Sequence, residues 1–232
     1  MTASIDRLDW ADIAAQLDAE GYAMLPGLLD AEAARDLARR AGNLQTARRT
    51  SFASADLGRG ERIRFDAELP APLESWRHAL YRPLAVIANR WNAILGIDDR
   101  YPADLDDFVR RNRQAGQVRP QSHVNRLGEE DYVALHQCSD DGPVFPMQVV
   151  ALLSEPGTDF DGGEFVLTER RPRMQTRPMV LPLGLGDAAV IATAARPFKG
   201  SRGYYRVNLK HAISRVRRGE RVGAELTFHD AR

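Results

Sequence analysis

His136 and His211 are the residues whose type and placement most directly suggest chemistry. His136 lies in Leu135-His136-Gln137-Cys138-Ser139-Asp140-Asp141-Gly142, at the end of a strand-like run, and His211 lies in a second, Val207-Asn208-Leu209-Lys210-His211-Ala212-Ile213. Ten residues after His211, Arg221 opens the last apolar run of the chain, Arg221 to Phe228. Two strand-borne imidazoles with a nearby acidic or soft ligand suit a mononuclear iron site. Two histidines and one carboxylate occupy one face of Fe(II) and leave the other open. An arginine beyond the second histidine suits an anionic cosubstrate, which its fork grips in bidentate fashion. Two residues past His136, where that pattern wants a carboxylate, the chain has Cys138.

The elements that must position these residues fall into two groups. Trp10, Ile13, Ala14 and Leu17 mark one helical face that Gly21 ends, and Tyr22 to Leu25 reads as a short strand. Asp30 caps a helix from Ala31 to about Leu44, with Ala33, Ala34, Leu37 and Ala41 inward. Arg48 to Glu61 reads as a polar surface loop before a strand near Arg62 to Phe65. Trp76, Leu80, Leu84, Ile87, Trp91 and Leu95 recur at steps of three and four, one long buried helical face kinked or broken at Pro83. A further helix covers about Ala103 to Ala115.

From Ser122 onward the pattern becomes strands: His123–Leu127, Tyr132–Gln137, Val144–Ser154, Glu164–Leu167, Met179–Leu183, Ala188–Thr193, Tyr204–Ile213 and Arg221–Phe228. Helices first and about eight strands after argue for an α+β fold, an antiparallel barrel or jelly roll braced by N-terminal helices. One domain over 1–232 is expected, with helical support to about 120 and the barrel from about 121.

Composition narrows the function. Thirty-two basic and 32 acidic residues cancel, so no net basic field supports nucleic-acid binding. A single cysteine excludes an intrachain disulfide and a cysteine-rich zinc cluster. No long apolar run or basic-then-apolar leader is present, so a cytoplasmic protein with no membrane partner is expected. Among the remaining histidines, His78 reads as solvated, His229 as structural, and His123 as equally able to face in or out.

Longer stretches resemble a known family. Phe145 to Gly157, Asp161 to Glu169, Arg171 to Gln175, Tyr204 to His211 and Phe228 to Ala231 are similar to bacterial 2-oxoglutarate and Fe(II)-dependent oxygenases of the proline-hydroxylase-like type. Asn89-Arg90-Trp91-Asn92 and Tyr101-Pro102-Ala103-Asp104 extend the resemblance over nearly the whole chain. It implies a double-stranded β-helix, also described as a jelly-roll or cupin-like barrel. It also implies His136 and His211 as Fe(II) ligands, with Arg221 binding the far carboxylate of 2-oxoglutarate. The expected function is oxidation, for example hydroxylation, of a small molecule or peptidyl side chain by molecular oxygen. The family's aspartate falls on Cys138. Gly223 stands where a hydroxyl residue is common, and Val133 where a polar residue is common.

The cysteine leaves several ligand sets open. A thiolate binds Fe(II) with the charge of a carboxylate, but it is oxidisable beside activated oxygen. Asp140 or Asp141 can take its place, the two histidines can bind alone, or no catalytic metal binds. The rival functions are a non-catalytic binding module and a metal-dependent enzyme that does not use 2-oxoglutarate. Two arginine-rich segments, Arg48 to Glu61 and Arg170 to Arg177, are candidate lids for an anionic substrate.

Overall fold

A computed structural model describes residue 5 and residues 7–44, 47–65, 69–137 and 144–231. Helix α1 (Trp10–Glu20) begins at Asp9, whose carboxylate accepts from the Ala11 and Asp12 amides, and ends at Gly21 in the left-handed conformation. It is followed by β1 (Tyr22–Leu25), α2 (Ala31–Asn43), capped by Asp30 through the Ala33 amide, and β2 (Ala47–Ser51). A 3-10 turn at Phe52–Ala55 leads to β3 (Gly58–Arg59) and β4 (Glu61–Phe65). Then come α3 (Leu73–Ile94) and α4 (Leu105–Gln114). The strands that follow are β5 (His123–Leu127), β6 (Tyr132–His136), β7 (Met147–Leu152), β8 (Phe160–Gly162), β9 (Phe165–Arg170) and β10 (Arg177–Leu181). The chain closes with β11 (Ala188–Ala192), β12 (Ala195–Gly200), β13 (Gly203–Ile213), β14 (Val216–Gly219) and β15 (Arg221–Thr227).

Seven strands form the larger sheet in the order β1-β11-β7-β15-β5-β4-β2. The smaller sheet runs β10-β9-β13-β6-β3, with β12 also on β13, and β14 pairs with β8. Every ladder is antiparallel. This is the antiparallel jelly roll braced by helices that the sequence pattern implies, and the double-stranded β-helix that the resemblance implies.

Strand alternation divides the core in two. Val124, Val149, Ala151, Val190, Val222, Ala224 and Leu226 face the helices and pack with Trp76, Leu80, Leu84, Ile87 and Trp91 of α3. The opposite faces, with Leu127, Val150, Leu152, Ile191, Phe165, Leu167 and Ile213, close the space between the sheets. Trp76 and Trp91 are core residues, and the Trp91 indole donates to Asp18 Oδ1 at 2.7 Å. Pro83 sits inside α3 without ending it.

One expectation needs correction. Arg48 to Glu61 is not a loop: β2 pairs with β4 from Ala47↔Phe65 to Ser51↔Glu61, and Phe52 is buried. Its arginines hid the strand because Arg48 and Arg49 stay exposed on a sheet edge, where charge is tolerated. The two strands expected in the front of the chain are present, and both join the larger sheet. β1 extends the larger sheet through β11, and β4 through β5. The short β8, β12 and β14 were not anticipated, because their polar composition carries no clear alternation.

Gly21 couples α1 to the barrel. Its φ is +81°, and an added Cβ would meet Leu209 Cδ2 at 2.5 Å and Arg196 Nε at 3.1 Å. Gly21→Ala is therefore expected to cost about 2 kcal/mol or more, from left-handed strain plus overpacking. Urea unfolding with an unchanged slope is the check; a change under about 0.5 kcal/mol would contradict the close approach.

Candidate functional site

β6 and β13 bring the two expected imidazoles together. His211 pairs with His136 in register, next to a shift in the ladder before Ile213↔Val133. The ring centroids are 4.2 Å apart. His136 Nδ1 donates to the Ala134 carbonyl at 2.9 Å, so in the neutral ring the lone pair is on Nε2. His211 is buried and stacks on Phe165, centroids 5.8 Å apart and planes within 9°. Its Nδ1 has no hydrogen-bond partner, and the Gln148 amide approaches Nε2 at 3.3 Å.

Three further residues, none of them singled out by sequence spacing, complete this end of the barrel. A cavity of about 200 Å³ is lined by His136 and His211 together with His123, Gln148, Glu225 and the arginines Arg62 and Arg64. Glu225 Oε2 lies 3.8 Å from His211 Nε2, and Oε1 lies 3.8 Å from His123 Nε2. The Glu225 carboxylate accepts from Asn125 Nδ2 at 3.2 Å and Gln148 Nε2 at 3.4 Å. His123 faces inward, and its Nδ1 donates to the Gln121 carbonyl at 3.0 Å.

Burial pushes the His211 and His123 imidazoles down to about 4, against the opposing pull of Glu225. Both are neutral at pH 7 and have lone pairs to offer a metal. Burial pushes the Glu225 carboxyl up, but His123, His211, His136 and Arg62 outweigh it and hold the group low, at about 2. Glu225 is thus an anion in a buried polar pocket.

Arg221 also turns inward but lines a different cavity, of about 610 Å³, with Gly163, Leu152, Phe165 and Leu181. Its Nε donates to the Gly163 carbonyl at 2.7 Å and its Nη1 to Asn125 Oδ1 at 3.1 Å. Burial brings it down to about 10, with Glu225 opposing, so it remains cationic at neutral pH. Gly223 leaves room beside it: a Cβ there would meet Arg221 Nη1 at 2.8 Å. Asn125 therefore touches both Arg221 and Glu225.

The other expected residues are placed as follows. Cys138 and the substitute ligands Asp140 and Asp141 lie outside the described residues. Among the described residues, no three His, Cys, Asp or Glu side chains converge tightly enough to hold a metal ion as they stand. His78 is exposed, at 3.0 Å from Glu74 Oε1. His229 is buried and its Nδ1 accepts from the Phe145 amide at 3.4 Å. Val133 lies in the core between the sheets.

A family model described as an oxygenase catalysing oxidative methylation of damaged DNA matches residues 60–231. The chain belongs to this oxygenase family. The match spans β4 to the chain's end, and so contains His136, His211, Glu225 and Arg221. The uncharacterized protein Rv2227 of Mycobacterium tuberculosis is 41% identical over 167 residues, 72% of each chain. A prolyl-4-hydroxylase of Pseudomonas putida superposes with a TM-score of 0.56 at 15% identity, covering 97% of this chain and 100% of that one. A 2OG-Fe(II) oxygenase-family oxidoreductase of Burkholderia pseudomallei gives 0.55 at 21% identity, covering 97% and 93%. These neighbours establish the fold, a double-stranded β-helix shared with those two proteins. Among the described residues no helix is long and apolar enough to cross a membrane.

Proposed function

We propose that this chain is a 2-oxoglutarate- and Fe(II)-dependent oxygenase whose metal is held by His136 and His211. The observation that carries this reading is the pair of imidazoles, ring centroids 4.2 Å apart across β6 and β13, lining one buried polar cavity. Imidazole nitrogens brought together in such a cavity are fitting ligands for a metal ion. Bound there, the iron supplies activation of molecular oxygen.

The chain's own groups do the rest. Gln148 orients His211 through the 3.3 Å contact. Arg221, whose hydrogen bonds are to neutral oxygens, is a buried cation suited to the far carboxylate of 2-oxoglutarate. Leu152 and Phe165 keep its surroundings dry. Arg62 and Arg64 line the metal cavity. Burial lowers the Arg64 guanidinium below its usual range, and Arg62, Arg48 and Arg119 lower it further. Such a crowd of guanidinium groups fits an anionic substrate, a phosphate or carboxylate. This local charge stands against the neutral overall balance, and it accords with the damaged DNA named in the family description.

The test is succinate formation from 2-oxoglutarate with Fe(II), screened with carboxylate-bearing amino acids, peptides, phosphorylated nucleosides and damaged oligonucleotides. Arg221→Gln is expected to weaken 2-oxoglutarate binding by about 30-fold or more, the effect of removing a buried charged partner worth at least 2 kcal/mol. Equal affinity in the variant would remove Arg221 from the site.

One observation favours a second reading. The His136/His211 cavity and the Arg221 cavity have no lining residue in common, and Phe165 both lines the latter and stacks on His211. A metal-dependent activity that does without 2-oxoglutarate accords with that separation. Tight metal binding with no change on adding 2-oxoglutarate would establish it.

A further inference from the structure

We propose that Glu225 supplies the carboxylate of the metal centre, joining His136 and His211 in a ligand set that does not need residue 138. The inference rests on the proposal that the two histidines hold a metal.

Its first support is the arrangement of lone pairs. His123 and His136 each donate Nδ1–H to a backbone carbonyl, at 3.0 and 2.9 Å. Each therefore keeps an unprotonated Nε2 when neutral. His123 Nε2 faces one oxygen of Glu225 at 3.8 Å, and His211 Nε2 faces the other at the same distance. Lone pairs facing an anion at close range repel unless a cation sits among them. The second support is how poorly the carboxylate is otherwise satisfied. A buried carboxylate normally takes charge-assisted bonds of about 2.7–2.9 Å. Glu225 instead accepts two long bonds from neutral amides, at 3.2 and 3.4 Å.

Distance and hardness agree. Ligand atoms bound to one ion at about 2.1 Å lie roughly 3 Å apart, and Oε2 to His211 Nε2 is 3.8 Å. The ligands must therefore draw together on the ion, since among the described residues no three converge tightly enough as they stand. A carboxylate oxygen is a hard ligand that withstands activated oxygen, whereas a thiolate is oxidised by it. Residue 138 is thereby free of the demand that its position in the motif otherwise imposes.

The test uses Co(II) as probe on the purified full chain under anaerobic conditions. Three readouts are taken: affinity by calorimetry, the visible spectrum for a thiolate-to-cobalt charge-transfer band, and the metal-induced shift of carboxylate stretches in difference infrared spectra. The unchanged protein should bind Co(II) without a thiolate band. Cys138→Ala should bind within about two-fold of it, because no ligand is lost. Glu225→Gln, which preserves shape and can keep one of the two amide contacts, should lose at least about ten-fold in affinity and should lose the infrared shift. Near-UV circular dichroism verifies that the variant is folded. A thiolate band that vanishes in Cys138→Ala overturns the proposal, independently of how Glu225→Gln behaves. So does an infrared shift that survives in folded Glu225→Gln, with Asp140→Asn identifying the carboxylate responsible. Binding that needs His136 and His211 but not Glu225 refutes this assignment alone. Absence of Co(II) binding in the unchanged protein refutes the function proposed above.

Discussion

His211→Ala is expected to lower divalent-metal affinity by more than about 100-fold, beyond the 10–100-fold typical of residues that only orient a ligand. His136→Ala should match it, and turnover of 2-oxoglutarate should fall with metal occupancy in both. The two rings face each other across β6 and β13 in one register pair, so neither can substitute for the other. His211 is also buried against Phe165, so its removal leaves a cavity and costs some stability. His211→Gln, which refills part of that volume, separates the two effects. A folded His211→Gln protein with unaltered metal affinity would end the metal assignment. The exposed His78 is the control: His78→Ala should change neither property.

The second large effect concerns stability. Glu169 and Arg196 are both fully buried and ion-paired. Arg171 adds a second bond to Glu169, at 2.7 Å, and lies over the Phe198 ring at 3.9 Å. Arg196 Nη1 and Nη2 also donate to the Asp18 and Ala19 carbonyls, at 2.6 and 2.8 Å. These are carbonyls in the last turn of α1, where a cation opposes the negative end of the helix dipole. Glu169→Ala strands a guanidinium in the interior and is expected to cost about 3–5 kcal/mol. For a domain of this size that amounts to a fall in melting temperature of about 10 °C. Glu169→Gln, still able to accept a hydrogen bond, should cost less. Scanning calorimetry decides the matter. A shift of a degree or two in Glu169→Ala would mean that the pair is not holding α1 to the barrel.

Much of this architecture was legible in the chain. The caps at Asp30 and Gly21, the apolar face of α3, the apolar run of β11 and the strand patterns of β5 and β15 are local signals, and local signals survive folding. His136 and His211 stood out by residue type and flanking pattern, and the barrel brings them together. Glu225 was missed although its signal was present. Once Arg221 is taken to face inward, strand periodicity places Gly223, Glu225 and Thr227 on the same face. His123 and Gln148 left no comparable mark, because their partners come from β13 and β15, and such contacts form only when the sheets close. Arg196 and Glu169 were hidden for the same reason. Each looks like a surface charge until its distant partner is known. Arg48 and Arg49 misled in the opposite sense, since exposed charge reads as loop whether or not a strand carries it.

The alternation in β15 has a bearing on how this protein can vary. Its even-numbered positions, Val222, Ala224 and Leu226, belong to the core beneath the helices, while Arg221 and Glu225 point toward the cavities. Fold and chemistry are thus written in alternate letters of one strand. Missense changes at 221, 225 and 227 can recast the cavity lining while the hydrophobic face stays intact. Insertion or deletion of one codon within the strand would exchange the two faces, placing charge under α3 and aliphatic groups in the polar interior. In this segment the lineage can explore new chemistry by substitution, but a single-residue frameslip removes fold and site together.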